Sequence, residues 1–216
     1  MRFASRQEAG RLLGEYLRDE GVQADLVLGL PRGGVIVAAE VARELACPLD
    51  VLIVRKIGHP FHREFAVGAL AEPDIVILDE QSIGWNPMVR MELQGILAEE
   101  KARLAEYASK FRRGFAPDLT GKAILLVDDG LATGATTAAA VAAARKRGAL
   151  RVTVAAPVAS TSAVERLQAA ADDVRVLWVD PYFQAVGQYY DVFDQTTDAE
   201  VLAALREAAQ RTSSAG

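Results

Sequence analysis

Short apolar runs recur along this chain in a way that only a layered sheet can absorb. Leu26-Val27-Leu28-Gly29-Leu30, Val51 to Val54, Ile75 to Leu78, Ala123 to Val127, Val152 to Ala156 and Val174 to Val179 are too brief for helices. They are also too uniformly apolar for strands with one wet face. Stretches of helical length separate most of them, so the pattern predicts an α/β fold, a parallel sheet flanked by helices on both faces. Ser5-Arg6-Gln7-Glu8 has the form of a capping box, and Leu12, Leu13, Tyr16 and Leu17 follow at helical spacing. An amphipathic helix is expected over 5–20, ended by Gly21. Pro31-Arg32-Gly33-Gly34 reads as a turn that enters an Ala/Val-rich helix reaching Ala46. The longest candidate helix runs from Asn86 to Phe111, with Met88, Met91, Ile96, Leu97 and Leu104 as its apolar stripe, and reads as a cover for the sheet, with a dimer-forming helix as the alternative. Phe111 to Gly121, containing Arg112, Arg113, Gly114, Pro117 and Asp118, reads as a loop, and Arg211 to Gly216 as a frayed tail.

The length of 216 residues fits a single domain over 1–216, and 24 basic against 29 acidic residues leave a net charge of −5. That balance argues against a general nucleic-acid binder, which needs positive charge to displace counterions from phosphates. No apolar run approaches the roughly 20 residues that span a bilayer, and Met1 to Gly10 lack a signal peptide's apolar centre, so a soluble, cytoplasmic protein without membrane partners is expected. Cys47 is the single cysteine, which excludes an intramolecular disulfide and multi-cysteine metal sites.

The chemistry concentrates in Ala123-Ile124-Leu125-Leu126-Val127-Asp128-Asp129-Gly130-Leu131-Ala132-Thr133-Gly134-Ala135-Thr136-Thr137. A buried strand ends in two adjacent carboxylates, and a loop of small residues and hydroxyls then runs into a helix. Free backbone N–H groups and the helix dipole there favour an anion, with Thr133, Thr136 and Thr137 as added donors. Two carboxylates repel a phosphate, so they must address something else, a vicinal diol or a magnesium ion. Diol, phosphate and metal together describe a ribose 5-phosphate.

This stretch resembles the signature of type I phosphoribosyltransferases, which bind phosphoribosyl pyrophosphate (PRPP). The resemblance implies a parallel sheet core over about 22–180, a helical insertion at about 86–112, and a small hood drawn from 1–20 and 181–210. It implies that Asp128 and Asp129 meet the ribose hydroxyls, and with them, indirectly, a magnesium ion. It assigns the 5′-phosphate to Ala132, Thr133, Gly134, Ala135 and Thr136. Arg32, Gly33 and Gly34 resemble the family's pyrophosphate loop, and in relatives the peptide bond before the basic residue is often cis, here Pro31–Arg32. Arg55 and Lys56 match the basic residues at the end of the second strand, from which a flexible loop, here Ile57 to Glu64, closes over pyrophosphate. His59 and His62 fall in that loop; their spacing alone is no metal site, because no third ligand accompanies them.

The implied reaction is displacement of magnesium-bound pyrophosphate from PRPP by a nitrogenous base, with Arg32, Lys56, Asp128 and Asp129 as the catalytic set and a homodimer as the expected assembly. An alternative is a regulatory protein that keeps the fold and the ligand but has no transferase activity. A dinucleotide-binding oxidoreductase is excluded because no G-x-G-x-x-G follows the first strand. For the acceptor, Trp178, Phe183 and Asp191 are the candidate base pocket, within a segment whose Val186-Gly187 loosely resembles that of 6-oxopurine enzymes. Ala132 stands where hypoxanthine–guanine enzymes carry an acid, and Gly130 where relatives carry a bulkier apolar residue.

Overall fold

The computed structural model describes residues 1–72, 74–112 and 114–214. Five strands form one parallel sheet: β1 (Leu26–Gly29), β2 (Leu49–Val51), β6 (Ala123–Val127), β7 (Arg151–Ser160) and β8 (Asp173–Asp180), in the order β2-β1-β6-β7-β8. Alternation sorts their side chains to two faces. Val27, Leu125, Val127 and Ala155 pack under α1 (Arg6–Asp19) and α2 (Gly33–Glu44), while Leu26, Leu28, Ile124, Leu126, Val152 and Val154 pack under α5 (Ala135–Lys146) and α6 (Thr161–Gln168). Both faces of the central strands β1, β6 and β7 are therefore dry, as their apolar runs require, but the edge strand β8 leaves Trp178 and Val179 exposed.

The Ile75 to Leu78 run does not join this sheet. It is β5, paired antiparallel in a separate three-stranded sheet with β3 (Val54–His59) and β4 (His62–Ala71). The reason is the connection: no helix lies between Val54 and Leu78, and strands joined by a tight turn must return antiparallel. The expected strand Val51 to Val54 is accordingly split, with Leu52 and Ile53 as the crossover between sheets. Arg55 and Lys56 begin β3 instead of ending the second strand, and the expected flexible loop is a hairpin whose turn is Pro60-Phe61. The side chains of Arg63 and Glu64, included in that loop, lie outside the described residues.

The short α3 (Glu80–Ile83) leads to α4 (Pro87–Phe111), capped by the Asn86 side chain on the Met88 amide. This helix covers a sheet as expected, but it is the antiparallel one, through Val89, Leu93, Leu104 and Phe111; Met88 and Met91 face solvent. The loop after it is anchored by Arg112, whose guanidinium bonds Glu72, Asp50 and the Val51 carbonyl and so ties the two sheets together. Arg113 lies outside the described residues. At the C-terminus α7 (Asp198–Ser214) extends through most of the expected tail and packs on α2 and β2, with Ala215 and Gly216 outside the described residues. The segment 1–20, expected in the hood, lies mainly as α1 against α2. Ala9, Leu13 and Leu17 are fully buried there, and a β-carbon on Gly10 would come within 2.7 Å of the Val37 carbonyl oxygen.

Candidate active site

Strand register brings the two sequence motifs together. Gly29 pairs with Val127 at the carboxyl ends of β1 and β6, so the segments that follow, Leu30 to the Gly33-Gly34 first turn of α2 and Asp128 to Gly134, leave the sheet side by side. Open α/β sheets bind ligands outside such strand ends. The approach is close: a β-carbon on Gly33 would sit 2.0 Å from Asp129 Oδ2, and one on Gly34 would sit 2.9 Å from the Asp128 Cα. Only glycine lets this loop lie against the acidic pair, and the Pro31–Arg32 bond within it is cis.

The acidic pair is half-buried. Asp128 Oδ1 accepts the Asp129 amide at 2.9 Å and Oδ2 the Thr137 hydroxyl at 3.4 Å. Thr137 is thus buried against Asp128 instead of lining the phosphate loop. Burial, followed by repulsion from Asp129, raises the Asp128 carboxyl well above its usual range. Burial also raises Asp129, with Arg6 opposing the shift. The Arg6 Nε lies 2.8 Å from Asp129 Oδ2, its guanidinium stands 4.0 Å from the Phe193 ring centroid, and it donates to the Asp194 carbonyl. Arg6 occupies the first position of α1, where nothing in the sequence separates it from a surface arginine. The Tyr190 hydroxyl completes this floor by donating to the Asp129 carbonyl at 2.6 Å.

Downstream, Gly134 takes the left-handed conformation at φ 67° and is the N-cap of α5. It brings no side chain to cap the helix, so N–H groups of the first turn are left for a ligand. Ala132, Thr133 and Thr136 are exposed around this turn, with Ala135 beside them. The loop resembling a pyrophosphate site is lined differently from the sequence reading. Arg32 lies beside Asp198 of α7 and Arg55 donates to Glu100 of α4 at 2.7 Å, both arginines near the Tyr107 ring. Lys56 is half-buried on β3. His59 and His62 face one another across the hairpin turn with ring centroids 5.8 Å apart.

The three residues suggested for the base are dispersed. Trp178 is 44% exposed on β8, Phe183 stacks on Tyr189 at 5.2 Å, and Asp191 pairs with Arg2 at 3.1 Å on the surface. Val186 and Gly187, in a short 3-10 helix, do reach the site. A β-carbon on Gly130 would lie 2.6 Å from Val186 Cγ1, so Val186 fills the space that a bulkier residue at 130 would need. A cavity of about 430 Å³, lined by Arg6, Arg32, Gly33, Tyr107, Phe193 and Thr196 among others, opens beside the Arg32-Gly33 turn.

The family model for the phosphoribosyl transferase domain matches residues 3–191. The chain belongs to the phosphoribosyl transferase domain family. A Mycobacterium tuberculosis protein, provisionally named a phosphoribosyl transferase, is 42% identical over 215 residues, which is 99% of this chain and 48% of the relative. This phosphoribosyl transferase domain thus spans about half the length of the curated relatives it matches. The crystal structure of TT1426 from Thermus thermophilus superposes with a TM-score of 0.87 at 45% identity, covering 96% of this chain and 99% of that one. Among the described residues no helix of the domain is long and apolar enough to cross a membrane.

Among the described residues, no three His, Cys, Asp or Glu side chains gather into a metal cage. Two adjacent carboxylates at the sheet end are instead hard oxygen donors of the kind a magnesium ion accepts alongside oxygens from elsewhere.

Proposed function

We propose that this protein transfers the 5-phosphoribosyl group of PRPP to a nitrogenous base and releases pyrophosphate. The observation that carries the reading is the contact between the Gly33-Gly34 turn and the half-buried Asp128–Asp129 pair, beside the open N-terminus of α5. In this reading the ribose hydroxyls donate to the two carboxylates, returning the hydrogen bonds that burial removed. The 5′-phosphate lies against the Ala132 to Thr136 turn, where α5 N–H groups and the Thr133 and Thr136 hydroxyls meet it. The pyrophosphate faces the Gly33 and Gly34 amides and Arg32, with Arg55 and Lys56 behind it, so that fixed positive charge meets the negative charge developing on the leaving group. Magnesium, bound with PRPP and held through Asp128 and Asp129, supplies further neutralisation of the diphosphate.

A covalent intermediate on the protein is not needed. Burial pushes the Cys47 thiol up to about 11, and its Sγ donates to the Ala24 carbonyl at the opposite end of the sheet's first strand. The acceptor is proposed to enter from the hood side, with Trp178 and Phe183 as stacking surfaces and Asp191, once released from Arg2, as a polar contact.

The test is turnover: purified protein, PRPP and magnesium are offered a panel of purine, pyrimidine and nicotinate bases while pyrophosphate release is followed. Magnesium-dependent release with one base is the expected result. Tight PRPP binding without release for any base would favour a regulatory protein, and failure to bind PRPP would overturn both readings.

A further inference from the structure

Three cations from three elements surround one ring on α4. The Arg32 guanidinium carbon lies 5.6 Å from the Tyr107 ring centroid, that of Arg55 6.0 Å, and the Lys110 ammonium 5.8 Å. Asp198, the first residue of α7, reaches two of them, with Oδ1 at 2.8 Å from Arg32 Nε and Oδ2 at 3.7 Å from Lys110 Nζ. Glu106 holds Lys110 from the helix side at 2.7 Å and raises its ammonium above the ordinary range, with Asp198 adding to that effect and Arg32 opposing it.

The contact with Arg32 is of a particular kind. Arg32 Nε and Asp198 Oδ1 touch, yet both atoms are buried and neither makes a hydrogen bond. Coulomb attraction holds them together without the directional bond that offsets desolvation. Arg55, by contrast, is properly bonded to Glu100. The misaligned pair borders the 430 Å³ cavity that also exposes Gly33.

We propose that the Asp198 carboxylate is the free protein's own occupant of the leaving-group site, and that Lys110, which it bridges to Arg32, is a further pyrophosphate-binding cation. The inference rests on the PRPP reading above. Pyrophosphate carries enough terminal oxygens to bond Arg32 and Lys110 together, so it displaces a carboxylate that bonds Arg32 poorly. Helix α4, beyond covering its sheet, then contributes Tyr107 and Lys110 to substrate binding, and α7 sets how tightly the diphosphate is held.

Calorimetric titration of pyrophosphate, and separately of ribose 5-phosphate, into the full chain tests this with Asp198→Asn and Lys110→Met. Asp198→Asn should bind pyrophosphate about three- to tenfold more tightly and Lys110→Met weaker by a similar factor, the scale of one partly solvated charge. Ribose 5-phosphate affinity should stay within about twofold, because that ligand lacks the diphosphate. Unchanged or weaker pyrophosphate binding by Asp198→Asn overturns the inference, as does an equal change for both ligands. If the unmodified protein binds ribose 5-phosphate while Asp198→Asn has no effect on pyrophosphate, the transferase reading stands and this inference falls. If the unmodified protein binds neither ligand, the transferase reading fails and the inference, which rests on it, falls with it. Thermal melts check that Asp198→Asn is folded, and Lys110→Met, on the half-exposed end of α4, gives an independent reading should it not be.

Discussion

Gly33→Ala puts the site's geometry to a quantitative test. The added methyl would stand 2.0 Å from Asp129 Oδ2, 2.8 Å from Asp129 Cγ and 2.7 Å from Arg6 Nε, all far inside contact distance. Either the carboxylate rotates off Arg6 or the loop lifts away from the acidic pair. Overpacking of this kind costs about 1–3 kcal/mol, which in a domain of this size lowers the melting temperature by about 2–12 °C. Binding should suffer more. A displaced Asp129 forfeits a charge-assisted hydrogen bond to the ribose, about 1.5–3 kcal/mol, equivalent to about 10- to 160-fold in affinity for ribose 5-phosphate. Chemical denaturation gives the first quantity and calorimetry the second. Gly95→Ala is the control: it lies on an exposed turn of α4 with no atom within 4 Å of its β-carbon position, so it should stabilise by about 0.5–1 kcal/mol and leave binding untouched. A Gly33→Ala protein that binds ribose 5-phosphate as tightly as the unmodified chain would refute the placement of this loop against a ribose-binding Asp129.

Other perturbations follow from the same geometry. Because burial lifts the Asp128 carboxyl above its ordinary 3.8, the folded state keeps a proton that the unfolded chain loses, and stability falls as pH rises from about that value through the folded pKa. Asp128→Asn removes the penalty, so its melting temperature should gain on the parent's as pH rises across that window while PRPP affinity collapses; parallel melting curves at all pH values would deny the buried charge. Arg112→Met strands Glu72 and Asp50 between the sheets and should cost about 3–5 kcal/mol, about 6–20 °C in melting temperature. A loss under about 1 kcal/mol would show that the cluster is not what joins the two sheets. Arg32→Ala should lower turnover and pyrophosphate affinity with ribose 5-phosphate binding retained, and joint loss of both ligands would contradict the leaving-group assignment.

Much of this architecture was legible in the chain because single residue types decide it. The apolar runs at 26–30, 123–127 and 152–156 are dry on both faces and fall in one parallel sheet, whereas 174–179 is its edge strand and leaves Trp178 and Val179 exposed. The acidic pair and the two glycine loops then meet because β1 and β6 end in register at Gly29 and Val127. The antiparallel sheet was not legible, since the composition of Ile75 to Leu78 is that of a buried parallel strand, and only the missing helix before it betrays the direction. Met88 and Met91 were misleading for a related reason: Val89 and Leu93 hold the inward face of α4, and a weakly amphipathic helix does not announce which stripe is buried. Arg6, Tyr107, Lys110 and Asp198 escaped sequence reasoning because each stands alone among ordinary helical charges and acquires a role only where α1, α4 and α7 converge on the strand ends. The close fit of Gly130 under Val186 emerges only once the turn at 186–189 is seen to fold over the acidic loop.

The central claim, that the Asp128–Asp129 couple is a PRPP-binding device, is tested most directly by titrating PRPP with magnesium into the unmodified protein and into Asp128→Asn/Asp129→Asn while following the heat. The account predicts saturable, magnesium-dependent binding in the first and its loss in the second, with the variant still folded by circular dichroism. Equal PRPP affinity in the two proteins, or no binding to the unmodified chain, would contradict it.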